Sequence, residues 1–243
     1  MHVNTAIKTG LLAAAISLSP FAAFAEESSN PLPGTFSGNI ALTNNYIFRG
    51  VTQTAHDAAI QGGLDWDTGM GLHFGTWASS LDFQDGGQAT TELDLYAGYG
   101  GKIDNFSYDV GFTYYWYPGA AKVTNYNFWE VYGKAGYDFG VASLTGFVAY
   151  TPSNTITNLD ATYVQASFAI PVIPELSISG AVGYYFLEAL KNPTDYNIGA
   201  TLSVYDWFTV DARYYDTDVA SECLVGTIKY CDARLVVAIK RTF

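Results

Sequence analysis

The stretch Ala233-Arg234-Leu235-Val236-Val237-Ala238-Ile239-Lys240-Arg241-Thr242-Phe243 decides the fold of this chain. Leu235, Val237, Ile239 and Phe243 share one parity, and Arg241 interrupts it near the end. A period of two over a run with no turn residue is the pattern of a β-strand with one apolar face. A last strand that stops on an aromatic residue fits a sheet closed into an outer-membrane barrel. The competing reading is a secreted β-sandwich, and the rest of the chain weighs between them.

The other end gives an address. Lys8 is followed by an apolar run from Leu11 to Phe24, and Ala23-Phe24-Ala25 precedes Glu26-Glu27 as a small-x-small cleavage site. This reads as a secretory signal peptide over residues 1–25, too short and too interrupted by Pro20 to be an anchor. Residues 26–35 read as an irregular periplasmic lead-in and 36–243 as a single barrel domain. No later stretch is long and apolar enough for a transmembrane helix.

Composition favours the barrel. Charged residues make up 14% of the chain, against about 25% in ordinary soluble domains. Aromatics reach 16%, with 19 Tyr, and there are 24 Gly. A charge-poor, aromatic-rich and Gly-rich chain without long apolar runs suits a sheet with one face in lipid. The net charge of −12 argues against nucleic acid or any polyanion as a partner. Cys223 and Cys231 are the two cysteines, and export to an oxidising compartment permits a disulfide between them.

Alternation recurs along the whole chain. An opening strand places Phe36, Ile40, Leu42, Tyr46 and Phe48 on one face, with Asn39, Thr43, Asn45 and Arg49 on the other. Later segments repeat the pattern up to Phe208–Tyr215 and the terminal run. The sum is twelve strands, an even number, with ten strands and split extended loops as the other reading. Connections near 68, 103, 140, 172 and 206 are short, while those near 54, 85, 121, 155, 190 and 224 are mostly longer. That rhythm is the one expected of periplasmic turns and outer loops. The fold expected is therefore an all-β, transmembrane antiparallel β-barrel, closed because an open sheet edge cannot be satisfied in hydrocarbon. Tyr46, Trp66, Trp116, Tyr137 and Trp207 suit the interfacial girdles, or fill the lumen.

The segment Leu42-Thr43-Asn44-Asn45-Tyr46-Ile47-Phe48-Arg49-Gly50-Val51-Thr52-Gln53, then Asp57 and Ile60-Gln61-Gly62-Gly63, resembles the opening of a known family. The ending from Cys231-Asp232-Ala233 to Phe243 matches it as well. Together they resemble the TorF family, proteobacterial outer-membrane proteins of porin type long filed as a conserved domain of unknown function. The resemblance implies a channel-type barrel in the outer membrane of a Gram-negative bacterium. It carries over no catalytic residue and no substrate. The barrel likeness also implies contact with outer-membrane lipids and lipopolysaccharide, and a role for Phe243 as a signal to the barrel assembly machinery.

The inward parity gathers Arg49, Asp65, Glu92, Asp94, Asp109, Glu130, Lys134, Asp211 and Arg213. They could line an aqueous path whose carboxylates favour cations or neutral polar solutes. Equally, the basic residues could pair with their neighbours in a packed polar interior. Arg49 would either attract an anionic group or, the preferred reading, anchor a loop carboxylate such as Asp57. Beyond the signal peptide the only histidines are His56 and His73, with no nucleophile partner evident, so an enzyme is not expected. No transition-metal or cofactor motif is read. The loop carboxylates Asp82, Asp85, Asp216, Asp218 and Glu222 read as solvated charge. The function expected is passive passage of small polar solutes or ions. The alternative is a non-conducting structural or adhesion-type barrel acting through its outer loops.

Overall fold

The computed structural model describes residues 32–243 other than 122–125, 154–158, 188–191, 206, 221–222 and 226–227. The signal-peptide reading of residues 1–25, most of the lead-in and Glu222 lie outside the described residues.

Twelve strands form one closed antiparallel ring. In chain order they are β1 (Thr35–Thr43), β4 (Ala59–Asp67), β5 (Leu72–Ser80), β6 (Thr91–Ile103), β7 (Phe106–Trp116), β8 (Phe128–Asp138), β9 (Ser143–Thr151), β10 (Ala161–Ile173), β11 (Leu176–Leu187), β12 (Thr194–Val204), β13 (Phe208–Thr217) and β16 (Arg234–Thr242). The labels skipped in the ring are two ribbons of two-residue strands: β2 (Ile47–Phe48) with β3 (Val51–Thr52), and β14 (Leu224–Val225) with β15 (Ile228–Lys229). The terminal run is the closing strand: β16 pairs with β13 on one side and with β1 on the other. The expected strand count and closure are met.

The pleat sorts the side chains. Ile40, Leu42, Leu64, Leu95, Val110, Val131, Ile198, Leu235 and Ile239 are exposed on the outer face. Their neighbours of opposite parity, among them Ala41, Asp94, Glu130, Asn197 and Val236, are buried inside. Because side chains alternate across a strand, one sequence supplies a lipid face and a polar lumen at once. Trp66 stacks between Phe36 and Phe74 at ring separations of 5.6 and 5.5 Å, an aromatic cluster at the end of the barrel with the short turns.

The short turns have a local cause. Asp67-Thr68-Gly69 and Asp138-Phe139-Gly140 are built alike: the Asp Oδ1 accepts the Gly N–H at 2.8 Å in each, and the Gly takes φ of 76° and 84°. Asp supplies the side-chain bond and Gly the positive φ that a tight turn requires.

Two expectations are corrected here. The opening strand does not run on to Arg49 but ends at Thr43, after which the chain leaves the wall. Of the two readings of Tyr46, it takes the second: it is buried and fills the lumen. Pro171, expected in a link, lies within β10, where the pairing with β11 shifts register between Pro171 and Ile173. A proline lacks the N–H that a regular ladder uses, and a bulge near a strand end tolerates the loss.

Candidate functional site: a tongue across the lumen

The segment that leaves β1 folds into the barrel as a tongue. Ile47 pairs with Thr52 and Phe48 with Val51, which leaves Arg49 and Gly50 as a two-residue hairpin loop. Both have positive φ, 49° and 80°, as a type I′ turn demands. Gly50 is needed twice over: a Cβ there would lie 2.5 Å from Thr217 Cγ2 and 2.8 Å from Asp195 Cβ. For Arg49 the left-handed conformation costs on the order of 1–2 kcal/mol, so the surroundings must hold it in place.

Asn45 braces the tongue from within. Its Oδ1 accepts from the hydroxyls of both Thr52 and Thr54, and Thr54 Oγ1 also accepts the Tyr46 N–H at 3.2 Å. Outer loops cover the tongue from above. Thr52 N–H donates to Tyr230 O, Asp82 N–H donates to Gln53 O, and Tyr230 OH donates to Phe83 O. Ala55, Val219, Tyr230 and Cys231 pack together at this junction. The expected disulfide joins Cys223 and Cys231 in the last outer loop.

The tip reaches the far wall. The tongue springs from β1, and β9 lies six places away in the ring of twelve. Arg49 contacts strands around that opposite position. Its Nη1 donates to Glu130 Oε1 at 2.8 Å and its Nη2 to Glu130 Oε2 at 2.6 Å, a bidentate pair with β8. Nη1 also donates to Tyr185 OH of β11 at 2.8 Å. The guanidinium lies 4.3 Å from the Tyr163 ring centroid on β10 and 4.7 Å from that of Phe48. The side chains of Arg49 and Glu130 are each 3% exposed, so this is a buried ion pair. The expected partner Asp57 is replaced by Glu130. No local rule could have named it, because the two are 81 positions apart.

The other inward residues fall into groups. Near the outer end, Glu92 Oε1 accepts from Tyr46 OH at 3.1 Å, and Glu130 Oε2 from Tyr115 OH at 3.1 Å. Tyr115 stacks on Phe128 at 4.2 Å between centroids. Tyr46 lies outside the spanning strands; burial, then Glu92 and Asp94, push its phenol above the usual value, so it remains a donor. Farther along the wall, Arg213 is buried. Its Nη2 donates to Asp211 Oδ2 at 3.0 Å and Ser179 Oγ at 2.8 Å, and its Nη1 to Asn197 Oδ1 at 2.9 Å. Toward the periplasmic end, Asp65 accepts from Tyr96 OH, Asp109 faces Lys134 across the β7–β8 ladder, and His73 Nε2 lies 3.6 Å from Asp109. All nine candidate residues point inward, but only Arg49 and Glu130 meet across the lumen. The others contact neighbours on nearby strands or, for Glu92, the base of the tongue at Tyr46.

Two residues escaped the sequence reading. Asp195 is buried and accepts Tyr163 OH at 2.9 Å; it lies in β12 on the same inward parity as Asn197 and Thr201. Lys240 points inward beside Asp65, a position the same parity argument gives within the terminal run. The aromatic support that Tyr163 gives Arg49 had no local signal. Asp216, expected in the last outer loop, lies instead near the end of β13 and accepts from Tyr196 and Tyr214, while the loop residue Asp85 accepts from Tyr126. Among the described residues no cluster of ligands could hold a metal ion. His56 Nδ1 lies 3.0 Å from Arg234 Nη1.

A closed ring of twelve strands with an apolar exterior and a polar, tongue-crossed interior is the architecture of an outer-membrane barrel of porin type. The chain is similar in fold to the solved porins KdgM and NanC: each has 9% identity to this chain, covering 86% of it and 99% of the porin, with TM-scores of 0.58 and 0.57. The COG4313 outer-membrane channel from Pseudomonas putida F1 is similar at 13% identity, 87% and 96% coverage, and a TM-score of 0.50. Residues 25–243 match the family described as "Bacterial protein of unknown function (Gcw_chp)", and the chain belongs to that family. No curated protein matches it.

Proposed function

We propose that this protein is an outer-membrane channel for passive diffusion of small polar solutes and cations, constricted by the tongue. The observation that carries the reading is the lumen beneath the Arg49–Glu130 clasp. It keeps a cavity of about 230 Å³ lined by Asp94, Asp195 and Asp211. A barrel built only as a scaffold would gain stability by filling that space with apolar side chains. Carboxylates at a narrowing raise the local concentration of cations and exclude anions. The TorF assignment belongs to the same proposal, as do the lipid, lipopolysaccharide and assembly-machinery contacts, with Phe243 as the assembly signal. One of the similar structures is titled as KdgM in complex with disordered oligogalacturonate. An acidic lumen is poorly suited to a polyanion of that kind, so the shared fold is read here as carrying a different cargo.

The covering of the tongue by the outer loops around Asp82 and Tyr230 favours one other reading, a non-conducting barrel that acts through those loops. Recording from the purified protein in planar bilayers separates the two. Discrete current steps with a reversal potential on the cation side are expected, and a Glu92→Gln, Asp94→Asn variant should lose much of that preference. Absence of current at every protein loading would overturn the channel reading.

A further inference from the structure

The cavity under the tongue is more than a passage. Its charges do not cancel. Arg49 is committed to Glu130, and Arg213 to Asp211. Glu92, Asp94 and Asp195 remain, and none of the three has an ion pair with a basic side chain among those found between the described residues. Each is at least nine-tenths buried, and Asp94 and Asp195 line the cavity. The Glu92 carboxyl has the Tyr46 and Tyr117 hydroxyls as donors and reaches Asp94, while its Oε2 and Oδ1 of Asp94 are buried with no hydrogen-bond partner. Buried carboxylate oxygens without donors are costly, and a cationic guest would supply what they lack.

The remaining lining describes the rest of that guest. Tyr46, Trp77 and Tyr163 line the cavity, and aromatic rings attract an ammonium group. Gln61, Gln165 and Asn197 add amides, which recognise hydroxyl groups. The Nε–H of Arg49, in the roof, is buried and has no acceptor. A hydroxyl oxygen could take that hydrogen bond without adding negative charge. The volume lies below the ~300–1,000 Å³ of pockets for drug-sized ligands, a scale suited to a monosaccharide.

We propose that this cavity binds a small hydroxylated organic ammonium, the chemical class of the amino sugars. The inference deepens the channel reading by naming a solute class, yet the site itself requires no current through the barrel.

Calorimetric titration of the full barrel in detergent with glucosamine, glucose and glucuronate tests it. The three are alike in size and differ in charge. Glucosamine should bind, glucose should bind at least tenfold more weakly, and glucuronate should give no binding heat. Asp94→Asn and Asp195→Asn should each weaken glucosamine about tenfold, the scale of one lost charge-assisted hydrogen bond, with heat-modifiable gel mobility confirming an intact barrel. The three-sugar comparison on the unaltered protein decides the matter even where a variant does not fold. Equal affinity for glucosamine and glucose, or no binding of glucosamine, overturns the proposal, as does unchanged affinity in both folded variants. Current without glucosamine binding removes the site and keeps the channel; binding without current does the reverse.

Discussion

Arg49→Ala should release the tongue. In the folded barrel the guanidinium makes two hydrogen bonds to Glu130, at 2.8 and 2.6 Å, and one to Tyr185, at 2.8 Å. Truncation removes all three and leaves Glu130, at 3% exposure, with the Tyr115 hydroxyl as its remaining donor among the described contacts. Removing one member of a buried ion pair typically costs about 3–5 kcal/mol. At ~1.4 kcal/mol per factor of ten, that shifts the balance between docked and released tongue by roughly 10²–10³-fold. The whole cost falls on the docked state, because a released tongue lets water and ions reach Glu130. Single-channel recording should therefore show larger or longer openings in the variant. Glu130→Gln should act in the same direction, since it strands the arginine instead. Arg49→Met with Glu130→Leu should recover part of the docking, because it removes both charges. A double-mutant cycle of opening probabilities would then give a large coupling. If both single variants conduct like the unaltered protein, the clasp holds nothing and the reasoning fails.

Two further perturbations address the same element from other sides. Gly50→Val places a β-branched side chain at φ 80° and against Thr217 and Asp195; the tip should lift out of its seat, and limited trypsin digestion of intact barrels should cut after Arg49, which a seated tip would resist. Cys223→Ser opens the disulfide-closed loop over the tongue. It should cost that loop about 2–3 kcal/mol by the chain-entropy account, seen as faster proteolysis of the last outer loop with the barrel undigested, while equal digestion rates would count against the bracing role.

The barrel was legible in the sequence because lipid and water impose opposite demands on alternate residues. Leu235, Val237 and Ile239 announce the outer face whatever lies beside them, and Asp65, Glu92 and Asp211 announce the inner one by parity alone. The pleat needs no knowledge of partners. The tongue defeated the same reasoning. Tyr46, Phe48 and Gly50 continue the parity of Phe36, Ile40 and Leu42, so periodicity extends β1 smoothly past the point where the chain turns inward. Two cues pointed the other way. Thr43-Asn44-Asn45 is turn-prone, and Arg49-Gly50 flanked by Ile47-Phe48 and the β-branched Val51-Thr52 suits a hairpin loop. Neither outweighs an unbroken alternation, because a two-residue ribbon is marginal without support. That support comes from Tyr185, Glu130 and Tyr230, far away in the chain. Which carboxylate Arg49 selects is a property of the closed ring, where β8 lies nearly opposite β1. A strand-by-strand reading has no access to it.

The tongue divides its holding forces in a way that bears on how it could move. Within it, Asn45 gathers the Thr52 and Thr54 hydroxyls and Thr54 in turn caps Tyr46, all neutral contacts between residues at most nine positions apart. These contacts travel with the tongue and are indifferent to whether it is docked. Its ties to the barrel are of another kind. They are a charged clasp to β8, side-chain hydrogen bonds from Arg49 to Tyr185 and from Tyr46 to Glu92, and backbone bonds to the loops around Asp82 and Tyr230. A change in salt or in the outer loops therefore acts on the docking and leaves the tongue's own shape alone. The strained Arg49 backbone favours this arrangement further: its cost is offset only while the side chain has Glu130 to reach, so release relieves strain as well as losing contacts. A constriction built this way is a two-position element, and the acidic cavity below it is the part of the lumen whose access it controls.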